Sequence, residues 1–132
     1  MAEALNKKAK IKNVVFVVED DAFLIKVYEV KLRKAGAEVW IATDGTEAMT
    51  FLDRTPPTII ILDLMLSGAS GFDVLQAIRK NEQWKKVPVF ILTNLGQPQD
   101  RERGKELGAT EYIIKTTIKI DDLIAKIKKY FQ

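Results

Sequence analysis

Acidic groups, a hydroxyl and a lysine each follow directly on an apolar run in this sequence. Val14–Val18 runs into Glu19-Asp20-Asp21, Thr58–Leu62 into Asp63, Val87–Leu92 into Thr93-Asn94, and Thr110–Ile114 into Lys115. Gathered in one place, Glu19, Asp20 and Asp63 bring about three negative charges, Lys115 returns one positive charge, and carboxylates that close raise one another's pKa unless a cation intervenes. The chain has no Cys and no His, so its ligands are oxygens, which select a hard ion such as Mg²⁺ with water in the remaining positions. Such an ion together with Lys115 can neutralise the charge that develops on phosphoryl oxygens during transfer. Thr93 offers a hydroxyl to a phosphate oxygen, and the carboxylate of Asp63 is the candidate nucleophile for an acyl phosphate. Taken singly, each group could be a solvated loop residue, and Asp20 or Asp21 could be a helix N-cap.

The absence of Cys rules out disulfides and thiolate metal sites. The absence of His closes imidazole-based triads, His-ligated zinc and phosphohistidine chemistry on this chain. Net charge is +3, from 21 basic and 18 acidic residues. The excess lies toward the ends, at Lys7, Lys8, Lys10 and Lys12 and at Lys126, Lys128 and Lys129. No helix-turn-helix or aromatic-basic platform accompanies it, so it reads as solvated surface and direct nucleic-acid binding is not expected. No apolar run reaches membrane-spanning length and residues 1–10 lack a signal-peptide core, which together predict a cytoplasmic location without membrane contact.

The apolar runs need elements to hold them. Val14–Val18, Ala37–Ile41, Thr58–Leu62, Val87–Leu92 and Thr110–Ile114 read as strands buried on both faces. Between them, Ala22–Ala35, Thr46–Asp53, Phe72–Lys80, Pro98–Leu107 and Asp121–Phe131 carry helical spacing, with Gly36 as the first stop signal and Pro98 suited to a first helical turn. Strands alternating with helices predict an α/β fold, a doubly wound five-stranded parallel sheet covered on both faces. Ligands in such sheets sit beyond the carboxyl ends of the strands, which is where the acidic groups, Thr93 and Lys115 fall. The 132 residues suit one domain, divided here into a flexible arm at 1–10 and a folded unit at 11–132. The fourth helix is the weakest: Gln99–Glu106 has no apolar residue, and Gly104 costs about 1 kcal/mol relative to Ala.

Val17-Val18-Glu19-Asp20-Asp21, Ile61-Leu62-Asp63-Leu64-Met65, Ile91-Leu92-Thr93-Asn94 and Tyr112-Ile113-Ile114-Lys115 resemble the four motifs of response-regulator receiver domains of two-component phosphorelay signalling, over residues 11–131. The resemblance implies a flavodoxin-like (CheY-like) sheet of order 2-1-3-4-5 and a chain that acts through partners, without an output domain of its own. It implies Asp63 as phosphoacceptor, Glu19 and Asp20 as the acidic pair for Mg²⁺ with Asp20 the direct ligand, and the Met65 backbone carbonyl as a further ligand. Thr93 and Tyr112 resemble the switch pair. A sensor histidine kinase is the implied donor, meeting the first helix near Ile25. The implied output is a protein partner, or a second copy, at the fourth helix, fifth strand and fifth helix. The chain would then be a phosphoacceptor switch that catalyses only its own phosphorylation and dephosphorylation.

Two departures from the family pattern stand out. Ser67 stands where many members have Pro, and Thr116 replaces the Pro that commonly follows the lysine. A peptide before Thr116 is expected to be trans, since cis costs about 2.5–4 kcal/mol without proline. The Lys115–Ile120 connection also looks one residue longer than usual, which alters the reach of the lysine. Two other readings compete: an aspartate-based phosphatase or phosphotransferase acting on an outside substrate, and a receiver piece of a larger regulator or hybrid kinase. The first commonly places a second acid two residues after its nucleophile, where this chain has Met65.

Overall fold

The computed structural model describes residues 12–132, so the arm expected at 1–10 lies outside the described residues. In chain order the elements are β1 (Val14–Val18), α1 (Ala22–Lys34), β2 (Glu38–Ala42), α2 (Gly45–Thr50), β3 (Ile59–Leu62), α3 (Gly71–Lys80), β4 (Val89–Thr93), α4 (Pro98–Glu106), β5 (Glu111–Ile114) and α5 (Ile120–Lys128). Short 3₁₀ turns at Phe51–Asp53 and Lys115–Thr117 extend α2 and β5. All neighbouring strands pair in parallel, in the order β2-β1-β3-β4-β5. The expected sheet is therefore present.

The central strands read as unbroken apolar runs because helices cover both faces of the sheet. Phe16, Val18, Ile60, Leu62, Val89 and Ile91 face one core with Phe72, Val74, Leu75, Ile78 and Trp84. Val15, Val17, Ile59, Ile61, Phe90 and Leu92 face the other, under Tyr28 and Leu32 of α1 and Leu123, Ile124 and Ile127 of α5. Alternation along each strand thus divides the apolar side chains between two layers.

The strand starts differ slightly from the apolar runs, for a hydrogen-bonding reason. Thr58 and Thr110 stand just outside β3 and β5. Their hydroxyls accept the amides of Val14 and Val89, each at 3.0 Å, closing the entry to the adjacent strand. Pro88 has no N–H to donate, so β4 starts at Val89 and runs through Thr93. Helices α1 and α3 begin at side-chain caps: Asp21 accepts from Leu24 at 3.1 Å, and Ser70 forms a reciprocal capping box with Asp73. Gly36 ends α1 with φ 96°, the left-handed conformation that glycine adopts without strain.

Half-buried Arg79, at the end of α3, joins three segments through backbone carbonyls. It donates to Gly108 O at 3.0 and 2.8 Å, to Val87 O at 2.7 Å and to Lys85 O at 3.2 Å. Arg79→Met keeps the apolar stem and strands those acceptors, so we expect a loss of about 1–3 kcal/mol, measured by urea denaturation.

Candidate functional site

Strand register brings the candidate groups to one edge. Val18 is level with Leu62, and the ladder continues past both strands: Glu19 N–H donates to Ala42 O and Asp63 N–H to Val18 O, each at 3.0 Å. Glu19 and Asp63 therefore lie side by side, held by sheet backbone rather than by a mobile loop. Thr93 pairs with Ile114, which puts Lys115 one residue beyond it at the same edge.

Glu19 and Asp63 are buried, with exposures of 2% and 4%, and Thr93 is fully buried. Asp20 is exposed at the rim. Carboxylate oxygens of Glu19, Asp20 and Asp63 lie within 4.8 Å of one another. Lys115 Nζ reaches Asp63 Oδ2 at 2.6 Å and Glu19 Oε1 at 2.7 Å. Glu19 Oε2 accepts the amides of Asp20 and Asp21 at 3.1 Å, and Asp63 Oδ1 accepts the Met65 amide at 3.0 Å.

Burial pushes Glu19 above its ordinary pKa, against the downward pull of its hydrogen bonds to Lys115 and the Asp21 amide. Burial also acts against the charge of Lys115, but the bonds to Asp63 and Glu19 outweigh it and hold the ammonium above its ordinary value. One lysine thus leaves the acidic group under-compensated. Three converging carboxylates, in a chain with no Cys or His, fit a small divalent cation bound through oxygen and water.

The lysine reaches its partners despite the altered segment behind it. The peptide before Thr116 is trans, and the segment after Lys115 forms a 3₁₀ turn at Lys115–Thr117, closed by Thr117 Oγ1 donating to Ile114 O at 2.8 Å. Met65 is 54% exposed at the mouth of the site, with its backbone amide engaged on Asp63. Tyr112 is half-buried and its hydroxyl donates to Leu95 O at 2.6 Å, while the Leu95 amide donates to Thr93 Oγ1 at 3.3 Å. Leu95 thus links Thr93 to Tyr112, a role with no signal in side-chain chemistry because its backbone performs it.

Gly71 is a second residue that sequence reasoning passed over. A Cβ there would stand 2.5 Å from both Asp63 O and Leu64 Cα, so only glycine lets α3 begin this close to the acidic strand end. A glycine opening a helix immediately after a loop was the available clue. On α1, Ile25 is half-buried. The larger apolar exposure belongs to Phe23 at 74% and Val30 at 54%, and Val27 is half-buried between them. These residues project from the side of α1 that faces away from the sheet.

The sequence pattern described as "Response regulator receiver domain" matches residues 15–128. RpaA of Synechocystis sp., a DNA-binding dual master transcriptional regulator, is 32% identical over 86% of this chain and 47% of its own length. The chain spans less than half the length of the curated relatives it matches first. Among solved structures, the chemotaxis response regulator CheY4 of Vibrio cholerae superposes with a TM-score of 0.82 at 27% identity, covering 92% of this chain and 100% of that one. The receiver domain of sensor histidine kinase PA1611 from Pseudomonas aeruginosa, with a magnesium ion in its active site cleft, gives 0.80 at 27% identity, covering 91% and 98%. Strand order, the acidic edge with its lysine, and a match over almost the whole described chain agree: the chain belongs to the response regulator receiver domain family.

Proposed function

We propose that Asp63 accepts a phosphoryl group from a phosphohistidine of a sensor histidine kinase, in a Mg²⁺-dependent reaction in the cytoplasm, and that the acyl phosphate sets a switch read by a partner. The observation that carries this reading is the buried Asp63 carboxylate fixed between the Lys115 ammonium and the Met65 amide, at 2.6 and 3.0 Å. Those contacts orient the carboxylate without consuming it, as a positioned nucleophile requires.

In the transfer, a carboxylate oxygen of Asp63 forms the O–P bond as the N–P bond of the phosphohistidine breaks. The electron pair stays on the imidazole, which takes up a proton. Lys115 stays beside the developing negative charge, and the Thr93 hydroxyl turns from the Leu95 amide toward a phosphoryl oxygen. Glu19, Asp20 and Asp63, with the Met65 carbonyl, would hold Mg²⁺, which supplies positive charge against the phosphoryl oxygens and relieves carboxylate repulsion. Tyr112 follows Thr93 through Leu95, and the output surface is α4, β5 and α5, presented to a downstream protein or to a second copy. This is a switch that acts on itself rather than an enzyme with an outside substrate. Met65, exposed where aspartate-based phosphatases place a second acid, supports that choice.

Kinase docking belongs to this proposal. The apolar residues on α1 beside the acidic edge, Phe23 above all, are suited to packing against a kinase helix.

A small phosphodonor with Mg²⁺ should add one phosphoryl group to the wild type and none to Asp63→Asn, read by intact mass; equal labelling of both would displace Asp63 from its role. Mg²⁺ should raise the melting temperature of the wild type, since a ligand bound only by the folded state contributes about 2.7 kcal/mol at one hundred times its Kd. Asp20→Asn should blunt that rise, and indifference of the wild type to millimolar Mg²⁺ would remove the metal from the scheme. Phe23→Ser should slow transfer from the cognate kinase at least tenfold, about 1.4 kcal/mol of docking energy, while small-donor labelling stays intact.

A further inference from the structure

Helix α4 has one buried residue, Gly104, and begins without a side-chain cap. A Cβ at Gly104 would lie 2.9 Å from Ile91 Cδ1, 2.9 Å from Tyr112 Cδ2 and 3.2 Å from Tyr112 Cε2. Ile91 and Tyr112 are register partners on β4 and β5, so the helix backbone rests directly on two adjoining side chains of the sheet. The Arg101 guanidinium, one turn earlier on α4, stands 5.4 Å from the centre of the Tyr112 ring. The ring's hydroxyl is held by Leu95 O at 2.6 Å.

We propose that Gly104 is a positioning residue: its missing side chain forms the slot in which the Tyr112 ring lies, so that ring and helix α4 share one joint position. The proposal rests on reading Thr93 and Tyr112 as a switch pair, and it adds the element that makes ring orientation visible from outside. A contact under 3.0 Å has to be relieved by movement. Ile91 Cδ1 is the end of a flexible side chain and can turn aside, whereas Tyr112 meets the position with two atoms of a rigid ring, half-buried and open on one side. The ring, or the helix above it, is therefore what yields. The rest of α4 holds on through charged side chains laid against rings, Arg101 on Tyr112 and Arg103 at 4.3 Å over Phe72. With so little apolar burial, the helix has no fixed seat apart from the glycine contact. When the ring leaves, the helix loses its support, and when the helix lifts, the ring loses its cover. That makes a two-state element whose equilibrium an event at Thr93 can bias.

Gly→Ala at an open helical position stabilises a protein, so the sign of the effect is diagnostic. We expect Gly104→Ala to lower the melting temperature in the wild-type background and to raise it in the Tyr112→Ala background. In protein labelled with 3-fluorotyrosine, with the Tyr112 signal assigned through Tyr112→Phe, Gly104→Ala should move that ¹⁹F resonance to the position of a solvent-exposed tyrosine. Small-donor labelling of Asp63 should be unchanged by Gly104→Ala. A higher melting temperature for Gly104→Ala in the wild-type background, or an unmoved Tyr112 resonance, overturns the proposal. If the single variant does not fold, the double variant decides: more stable than Tyr112→Ala supports the slot, while less stable or unfolded places the conflict at Ile91 and overturns it. Beryllofluoride added to the wild type separates the two readings. A Tyr112 resonance that ignores it overturns the switch, while the melting cycle still judges Gly104.

Discussion

Glu19 and Asp63 are carboxylates buried side by side at the ends of adjacent strands, and a single ammonium spans both. Removing a charge from water costs several kcal/mol per ion, so this arrangement constrains everything around it. The lysine starts from the edge strand β5 and must cross the end of β4 to reach β3 and β1. A long unbranched side chain can do so; a shorter base could not. The carboxylates are fixed in turn by backbone amides, those of Asp20 and Asp21 for Glu19 and that of Met65 for Asp63. Parallel strands bring all these ends to one edge. The compensation remains incomplete, with Glu19 held above its ordinary pKa, and a site in that condition favours a cation.

The two helical layers differ in how they are held. On one side, α1 and α5 bury Tyr28, Leu32, Leu123, Ile124 and Ile127 against the sheet, and Lys31 of α1 pairs with Asp121 of α5 at 2.9 Å. On the other, α3 is sealed by Phe72, Val74, Leu75 and Ile78, whereas α4 contributes one glycine. Burial of apolar area at about 25 cal/mol per Å² thus anchors α1, α3 and α5 firmly and leaves α4 on contacts that water can replace.

Much of this was legible in the sequence because strands buried on both faces leave a strong mark. The runs around Phe16, Ile60 and Phe90 have few alternatives, and whatever polar group ends such a run must stand at the sheet edge. Glu19, Asp63, Thr93 and Lys115 were found that way. Backbone roles were not legible: the two hydrogen bonds of Leu95 and the close approach at Gly71 depend on chain path, not on side-chain type. Gly104 was read as a weak point of its helix, because propensity registers the missing side chain but not the Tyr112 ring that occupies its place. The exposure of Phe23 was missed for a similar reason, since helical spacing gives the apolar side of α1 without saying how far the sheet extends beneath it.

Glu19, Asp20 and Asp21 combine three tasks in three consecutive residues. Glu19 closes the β1 pairing, Asp20 lines the acidic edge, and Asp21 caps α1 through Leu24. The Glu19 carboxylate holds the amides of the next two residues, so none of the three is independent of the others. A substitution at any one of the three therefore disturbs the strand edge and the start of α1 together with the acidic edge.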